Sequence, residues 1–266
     1  MAVDSIRNTR QLNKTLNDQK NVFEKLASGK RINKASDDAA GLAIADALAS
    51  SVRSLGRASA NVADATSVIQ IADGALQQVG EIGTRLKELA IQSSNGTLSD
   101  DQRTALNNEF QALTAEAQRI TASTEFNGKQ LLDGSDTAIQ VGTDSDANSQ
   151  IVIPGANISG TLTDISSQNI GTQAGASAAL ASIDSFVTAV SSTRGELGAS
   201  QARIETAGNN IAVERENAAA AESRIRDADI AELVSQKVKN DILTRTGTAI
   251  AAQANQTAQT VLKLLA

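Results

Sequence analysis

The sequence predicts a mainly α protein: an elongated rod of long antiparallel coiled-coil helices, with a small β-hairpin region and paired terminal helices. The main observation is a track of residues, nearly all large aliphatics, that recur every seven positions without a slip, as in a coiled-coil seam. A helix carrying this track would run roughly 65 Å at 1.5 Å per residue, whereas a compact globule of this size would measure about 45–50 Å. The track consists of Ile183, Val190, Leu197, Ile204, Ile211, Ala218 and Ile225.

A second track with the same spacing supplies a partner for this seam. A partner is needed because each large aliphatic side chain left in water forgoes roughly 1.5–3 kcal/mol. After the last residue of the second track the apolar phase jumps by three, which we interpret as a stammer that locally overwinds the supercoil. Asp73 lies on an alternate seam position, and we interpret it as a register device. The track comprises Leu48, Leu55, Val62, Ile69 and Leu76.

The composition favours thin helical seams over a thick core. Aromatic residues make up only 2% of the 266 residues, with four Phe and no Trp or Tyr. Globular cores usually recruit aromatic side chains because each buries a large area. The one proline, Pro154, leaves long stretches on either side free to be helical.

The residue types present argue against catalysis and cofactor binding. The chain has no His, which is the commonest general base and metal ligand near neutral pH. It has no Cys, so disulfides and thiolate chemistry are excluded. Carboxylates spread along helices are typical of solvated surfaces. We therefore expect no enzymatic activity and no cofactor.

Charge and hydropathy argue against nucleic-acid and membrane partners. The net charge is −6, and no basic block or aromatic stacking platform is present. The first residues lack the apolar run of a secretory signal peptide, and no stretch resembles a membrane span. If the protein leaves the cell, it uses another route.

The first 35 residues carry a sparse helical pattern, formed by Leu12, Leu16, Phe23 and Leu26. Polar residues, among them Gln19, fill the intervening seam positions, so this segment should not hold order alone. Gly29 and the following basic pair predict a break before Ile32.

A third helix and a hairpin follow the second track. Ser99 and Gln102 have the spacing of a capping box that opens a helix, which we expect to stop near Asn127-Gly128. Residues 138–141 and 150–153 are β-prone runs joined by a polar linker, which predicts a hairpin.

The C-terminal segment carries apolar residues at three- or four-residue steps and ends in LKLLA. An isolated monomer gains little from an apolar chain end, because termini fray. Both ends of the chain thus carry marginal helices whose apolar positions other molecules would bury. The C-terminal residues are Ile230, Val234, Val238, Ile242, Ile250, Ala254, Val261 and Leu265.

Five motifs in order closely resemble bacterial flagellins and cover nearly the whole chain. LASGKRINKASDDAAGLAIADAL at 26–48 resembles the N-terminal signature of the family. RLKELAIQSSNGT at 85–97, TEFNGKQLL at 124–132 and AIQVG at 138–142 are similar to its core and hairpin motifs. Residues 223–266 resemble the C-terminal signature.

The resemblance implies a structural subunit of the helical flagellar filament used for motility, exported unfolded by the flagellar type III system and located outside the cell. It implies an inner-core domain of terminal helices, 1–40 with 230–266, and an outer-core domain, 41–229, whose hairpin region lies at about 128–172. The variable outer domains of the family are absent. The residues assigned to inner-core packing are Leu12, Leu16, Phe23, Leu26, Ile242, Ile250, Val261, Leu264 and Leu265.

The resemblance also implies partners. These are other copies of the chain, a flagellar export chaperone, the filament cap, hook-junction proteins and, in a host, the Toll-like receptor for flagellin. The positions that match the receptor-recognition pattern are Arg85, Leu89 and Glu116. Because Arg85 and Leu89 are one helical turn apart, we expect them to face the same way.

Two alternatives remain at this point. A hook–filament junction protein resembles flagellin at both ends but is present in few copies. A secreted coiled-coil effector would be a monomer with ordered ends.

Overall fold

The computed structural model describes the backbone of residues 2–265 and the side chains of residues 6–254, 256 and 257. The mainly α class is confirmed. The helices are α1 (Ala2–Ser28), α2 (Ala39–Ser93), α3 (Asp100–Ser123), α4 (Ser159–Ser166), α5 (Gln173–Arg226) and α6 (Ile230–Leu265). The strands are β1 (Glu125–Phe126), β2 (Lys129–Gln130), β3 (Thr137–Gln140) and β4 (Gln150–Ile153).

The chain forms two compact units. One contains the residues up to Val52 together with those from Glu216 onward, and the other is Arg53–Arg215. The first turns of α2 and the last turns of α5 therefore group with the terminal helices. The predicted domain boundaries, at 40/41 and 229/230, lie instead near the breaks between helices.

The seam between α2 and α5 forms the core of the 53–215 unit. Gly80 faces Val190, and Gly208 faces Val62, so residue numbers rise along one helix as they fall along the other. The helices are therefore antiparallel, as predicted. The seam residues that are at most 4% exposed are Leu55, Ile69, Leu76, Ile183, Val190, Leu197, Ile204 and Ile211.

Four members of the predicted tracks, Leu48, Val62, Ala218 and Ile225, are only half-buried. Leu48 and Ile225 belong to the terminal unit, beyond the ends of the 53–215 core. The seven-residue spacing is thus continuous along both helices, whereas burial is deepest in the middle of each track.

The phase jump after Leu76 coincides with a close helix–helix approach. Val79, Leu86 and Leu89 on the shifted phase are each 0% exposed. A Cβ at Gly83 would lie 3.1 Å from both the Phe186 and Val187 side chains, so glycine lets α5 pack directly on the α2 backbone.

Helix α5 begins at Gln173, ten residues before the predicted track, because small Ala176 and Ala179 pack in the core there. One stretch of α5 is long and apolar enough to pass a compositional test for a membrane span. Ile183 and Phe186 of α5 are fully buried in the 53–215 unit. These two large side chains of α5 therefore belong to the protein core.

The predicted capping box opens α3. The Ser99 hydroxyl accepts the Gln102 N–H at 3.3 Å, and the Gln102 side chain accepts the Ser99 N–H at 2.9 Å. The prediction that α3 runs to Asn127-Gly128 is wrong, because α3 ends at Ser123. Asn127 and Gly128 have φ of 51° and 77° and form the tight turn between β1 and β2.

Strands β3 and β4 form the predicted hairpin, with Ile139 opposite Ile151. Helix α4, which was not predicted, follows it. Its two buried residues, Leu162 and Ile165, are too few to give a periodic signal in a Ser- and Thr-rich segment.

Buried Arg103 closes the end of α2. Its guanidinium donates to the carbonyls of Ser93 and Leu98, the latter at 3.1 Å. These carbonyls lie at and just beyond the α2 C-terminus, where helical partners run out. The same turn is tied to α5 by the Ser93 hydroxyl, which donates to the Ile170 carbonyl just before that helix.

Candidate assembly surface

The terminal helices α1 and α6 pack against each other in antiparallel orientation. Leu12 of α1 lies against Gly247 of α6, where an added Cβ would be 3.3 Å from Leu12 Cδ1. About two turns further along α1, Gln19 Nε2 donates to Asp241 Oδ1 at 2.5 Å. The numbering falls on α6 as it rises on α1, which confirms the predicted pairing of terminal helices.

Among the side chains that the structure describes, this pairing buries few large ones. On the facing sides, Val22 is 7% exposed and Leu233 is 8% exposed, and Thr15 lies between the helices at 4%. Most other large apolar side chains described on the two helices remain in contact with solvent. Those more than 40% exposed are Ile6, Leu16, Phe23, Ile230, Val234, Val238, Ile242, Leu243 and Ile250.

Four of these residues form a continuous surface on α6, which we call the α6 stripe: Ile230, Val234, Val238 and Ile242. Their four-residue spacing places them one above the other along the helix. They are 46–58% exposed. Such contiguous exposed apolar side chains mark interaction sites in soluble proteins.

The residues assigned to inner-core packing fall into three groups. Leu16, Phe23, Ile242 and Ile250 are exposed. Leu12 and Leu26 are half-buried. Val261, Leu264 and Leu265 lie outside the residues whose side chains the structure describes. Within this chain, α6 turns toward α1 the face that carries Leu233 and Asp241, so the α6 stripe is left uncovered.

Two main-chain hydrogen bonds and one side-chain hydrogen bond join the segment that follows α1 to the end of α5 and the turn into α6. We call these segments, 29–31 and 225–228, the terminal clasp. Gly29 ends α1 in the left-handed conformation, with φ of 67°. The bonds are Arg31 N–H to the Arg226 carbonyl at 2.7 Å, Ala228 N–H to the Gly29 carbonyl at 3.0 Å, and the Arg31 guanidinium to the Ile225 carbonyl at 2.7 Å.

The Arg226 side chain fastens the clasp to α2. Its Nη1 lies 2.9 Å from Asp46 Oδ1 and 3.9 Å from Glu222 Oε1, and the side chain is 18% exposed. The sequence predicts a break near Lys30-Arg31 but does not predict this clasp, because the residues that the clasp joins are almost 200 positions apart in the chain. The break itself is confirmed.

Arg85, the first position of the receptor-recognition pattern, is exposed and engaged by two carboxylates. Its guanidinium lies 2.7 Å from Glu109 on α3 and 2.9 Å from Glu88 on its own helix. The hydrogen bond to Glu109, followed by that to Glu88, raises the pKa of Arg85. The group is therefore a fixed positive charge that bridges α2 and α3.

The expectation that Leu89 faces the same way as Arg85 is wrong. Leu89 is 0% exposed, whereas the Arg85 side chain is 48% exposed. Four residues advance the helix by about 40° beyond a full turn, and here that rotation carries Leu89 into the core beside Leu86 and Ala90.

Glu116, the third position of the pattern, lies on α3 and pairs with Arg119 one turn later. Glu116 Oε1 is 2.6 Å from Arg119 Nη2. This hydrogen bond lowers the pKa of Glu116, so the carboxylate is ionised at neutral pH. Glu116 and Arg85 thus present opposite charges on the surface of the 53–215 unit.

Among the described residues, no group of three or more His, Cys, Asp or Glu side chains is arranged to hold a metal ion. The feature that stands out is the exposed apolar surface of paired terminal helices. Long packed helices with this surface at both chain ends define a class of protein: a helical subunit that self-assembles.

Comparison with known families places the chain within that class. Residues 2–137 match the bacterial flagellin N-terminal helical region, and residues 180–265 match the bacterial flagellin C-terminal helical region. Together these matches cover most of the sequence. The chain belongs to the bacterial flagellin family.

Individual relatives are similar over nearly their full length. The chain is 42% identical to the flagellin of Halalkalibacterium halodurans over 258 residues, covering 96% of this chain and 95% of that relative. It is 40% identical to the flagellin of Bacillus subtilis, covering 93% and 92%. It is 39% identical to the flagellar filament 30.7 kDa core protein of Treponema maltophilum, covering 91% and 90%.

Solved structures share the fold. The crystal structure of Bacillus cereus flagellin superposes with a TM-score of 0.52 at 26% identity, covering 57% of this chain and 88% of that one. A putative flagellar hook-associated protein from Vibrio parahaemolyticus gives a TM-score of 0.59 at 13% identity, covering 72% and 100%. At that identity, the second likeness shows the fold alone.

Proposed function

We infer that this chain is a structural subunit of the bacterial flagellar filament and that it has no enzymatic activity. The observation that carries this inference is the α6 stripe, which the chain leaves half-exposed although its residues are aliphatic. Membership of the flagellin family and the length match to filament proteins support it.

Assembly follows from the energetics of the terminal helices. Full burial of an aliphatic side chain stabilises by roughly 1.5–3 kcal/mol, so each half-exposed residue of the stripe would gain on the order of 1 kcal/mol when another copy covers it. This gain offsets the entropy lost when marginal helices become ordered. A head-to-tail contact that does not close into a ring then generates a filament.

Export and the accessory partners belong to the same proposal. We propose that the chain passes unfolded through the flagellar type III system, escorted by an export chaperone, and assembles outside the cell beneath the filament cap, next to hook-junction proteins. The marginal α1–α6 pairing supports this route, because a chain end that buries little apolar surface unfolds at low cost.

We also propose recognition by the host Toll-like receptor for flagellin, through the exposed charges of Arg85 and Glu116. Leu89 would take part by packing beneath this surface rather than by contacting the receptor. The two-carboxylate clamp on Arg85 supports the proposal, since it holds the guanidinium in a defined place.

Seeded assembly tests the proposed function. The purified chain is heated, cooled and mixed with short fragments of its own salt-precipitated polymer, and the product is sedimented and viewed by electron microscopy. Filaments that grow from the seeds are expected. A chain that stays soluble under all salt conditions, with protease-resistant termini, would favour a secreted effector instead.

Copy number distinguishes a filament subunit from the remaining alternative, a hook–filament junction protein. A filament subunit is present in thousands of copies per flagellum and a hook–filament junction protein in a handful. Quantitative mass spectrometry of isolated flagella from the source organism measures this ratio. The near full-length similarity to flagellins and filament core proteins supports the filament subunit.

A further inference from the structure

A polar cluster lies where α1 meets α6. Gln19 Nε2 donates to Asp241 Oδ1 at 2.5 Å. On the other side of the carboxylate, Asp241 Oδ2 lies 3.5 Å from Lys237 Nζ. The same Lys237 ammonium lies 5.5 Å from the centre of the Phe23 ring, within the range of a cation–π interaction. We call Gln19, Phe23, Lys237 and Asp241 the seam cluster.

The apolar contacts around the cluster select a register only weakly. Few of the large side chains described on the two helices are buried between them, with Val22 and Leu233 the clearest examples. Leu12, Gln19 and Leu26 follow one another at intervals of seven on α1. Sliding α1 by seven residues places Leu12 or Leu26 where Gln19 lies, and it replaces the buried Val22 by Thr15 or Gly29.

A slide in either direction places Leu12 or Leu26, rather than Gln19, opposite the Asp241 carboxylate. The carboxylate then loses its amide donor and faces an aliphatic side chain, which is unfavourable for a partly buried charge. The Lys237 ammonium loses the Phe23 ring at the same time. A single polar residue on an otherwise apolar seam fixes register in coiled coils by this mechanism.

We propose that the seam cluster is the register determinant of the terminal helix pair, with the Gln19–Asp241 hydrogen bond as its central contact. This role goes beyond the proposed function, because the pairing lies within one chain and is defined whether or not that chain polymerises. The terminal clasp is the competing explanation, since it also holds the ends of α1 and α6 together.

Cysteine cross-linking separates the two explanations. The chain contains no Cys, so a pair of introduced thiols gives one intramolecular disulfide. Leu12→Cys with Gly247→Cys reports the observed register, because these residues face each other. Leu12→Cys with Ala254→Cys, or with Asn240→Cys, reports a slide of seven residues in one direction or the other.

Each reporter pair is placed in three full-length backgrounds: the parent, Gln19→Leu with Asp241→Leu, and Asn17→Leu with Glu232→Leu. The last is a matched control, since it also removes one amide and one carboxylate from α1 and α6, at exposed positions. Disulfide formation with oxidised glutathione is followed by mass spectrometry in the soluble and the sedimented fractions, so that loss of polymer and loss of register are measured separately.

In the parent and in the control, the observed-register disulfide should form at least about tenfold faster than either slid one, the ratio given by 1.4 kcal/mol. In the Gln19→Leu, Asp241→Leu variant, the rates at which the three reporter disulfides form should come within about threefold of each other. We expect this even though the two introduced leucines favour packing between the helices. An unchanged ratio in that variant would overturn the proposal and assign the register to the clasp. Equal rates in the parent would overturn it too.

Discussion

Asp73 of α2 and Arg194 of α5 form a two-point ion pair across the helix seam. Arg194 Nε lies 2.8 Å from Asp73 Oδ1, and Nη2 lies 3.4 Å from Oδ2. The hydrogen bond that Arg194 donates to Asp73 raises the pKa of Arg194. Asp73, which lies on an alternate seam position, is therefore satisfied by a partner on α5.

A double-mutant cycle on this pair should give a small favourable coupling. Both side chains are about 40% exposed, so solvent screens the attraction and the coupling should be about 0.2–1 kcal/mol. The free energies of unfolding of the parent, Asp73→Ala, Arg194→Ala and the double variant are measured by urea denaturation. A more stable Asp73→Leu protein would show that the ion pair contributes less than apolar packing at this position.

Two glycines of α2 should respond in opposite directions to alanine. At Gly83 a Cβ would lie 3.1 Å from Phe186, which is fully buried and cannot move aside, so Gly83→Ala should destabilise by up to about 2 kcal/mol. Gly74 has nothing within 4 Å, so Gly74→Ala should stabilise by up to about 1 kcal/mol through helix propensity. Thermal unfolding followed by circular dichroism measures the stability of both variants. Equal shifts of the unfolding midpoint would contradict the close approach at Gly83.

Replacing Leu89 should affect stability far more than replacing Arg85. Leu89→Ala removes a fully buried side chain and should lower the free energy of unfolding by about 2–5 kcal/mol. Arg85→Ala loses only exposed ion pairs, so stability should change by less than about 1 kcal/mol, whereas affinity for the receptor ectodomain should fall. Binding that survives Arg85→Ala and Glu116→Ala together would contradict the proposed recognition surface.

The turn between α1 and α2 should loosen in acid. Asp37 Oδ2 accepts the N–H groups of Asn33 and Lys34, each at 3.0 Å, and these bonds lower the Asp37 pKa. A lowered folded-state pKa means that the stabilisation is fully present above the ordinary carboxyl pKa of about 4 and is lost as the pH falls through the lower folded value.

Amide chemical shifts of Asn33 and Lys34 measure this titration. Their midpoint in the folded protein should lie below the midpoint for a peptide of residues 30–40. The Asp37→Asn protein should show no such step. A midpoint equal to that of the peptide would mean that the two hydrogen bonds do not persist in solution.

The sequence predicted those features whose cause is local or periodic. Ile183 to Ile211 recur every seven residues because one helix face is buried, and Ser99 and Gln102 satisfy each other within one turn. Helix α4 escaped prediction because it buries only two residues. The turn at Asn127-Gly128 was mistaken for a helix stop, since the same pair also suits a tight hairpin.

The missed parts of the candidate site depend on distant residues. Gln19 was read as a weak seam position, because its partner Asp241 is 222 residues away. Leu89 was placed on the Arg85 face because spacing alone does not say which side of a stripe meets the core. In contrast, the surplus of aliphatic residues at both chain ends is visible in the sequence itself, and it pointed to burial by other copies.

The central claim is that other copies of the chain bury the α6 stripe. Seeded polymerisation of Ile242→Asp tests it most directly, with Thr248→Asp adding the same charge at an exposed polar position of α6 that lies about 120° round the helix from Ile242. Burying an unpaired carboxylate is strongly unfavourable, so the pelleted fraction of Ile242→Asp should fall by at least about tenfold. Thr248→Asp should pellet like the parent, and both variants should keep the parent's thermal unfolding midpoint. Filaments of Ile242→Asp that form as readily as those of the parent would contradict the account.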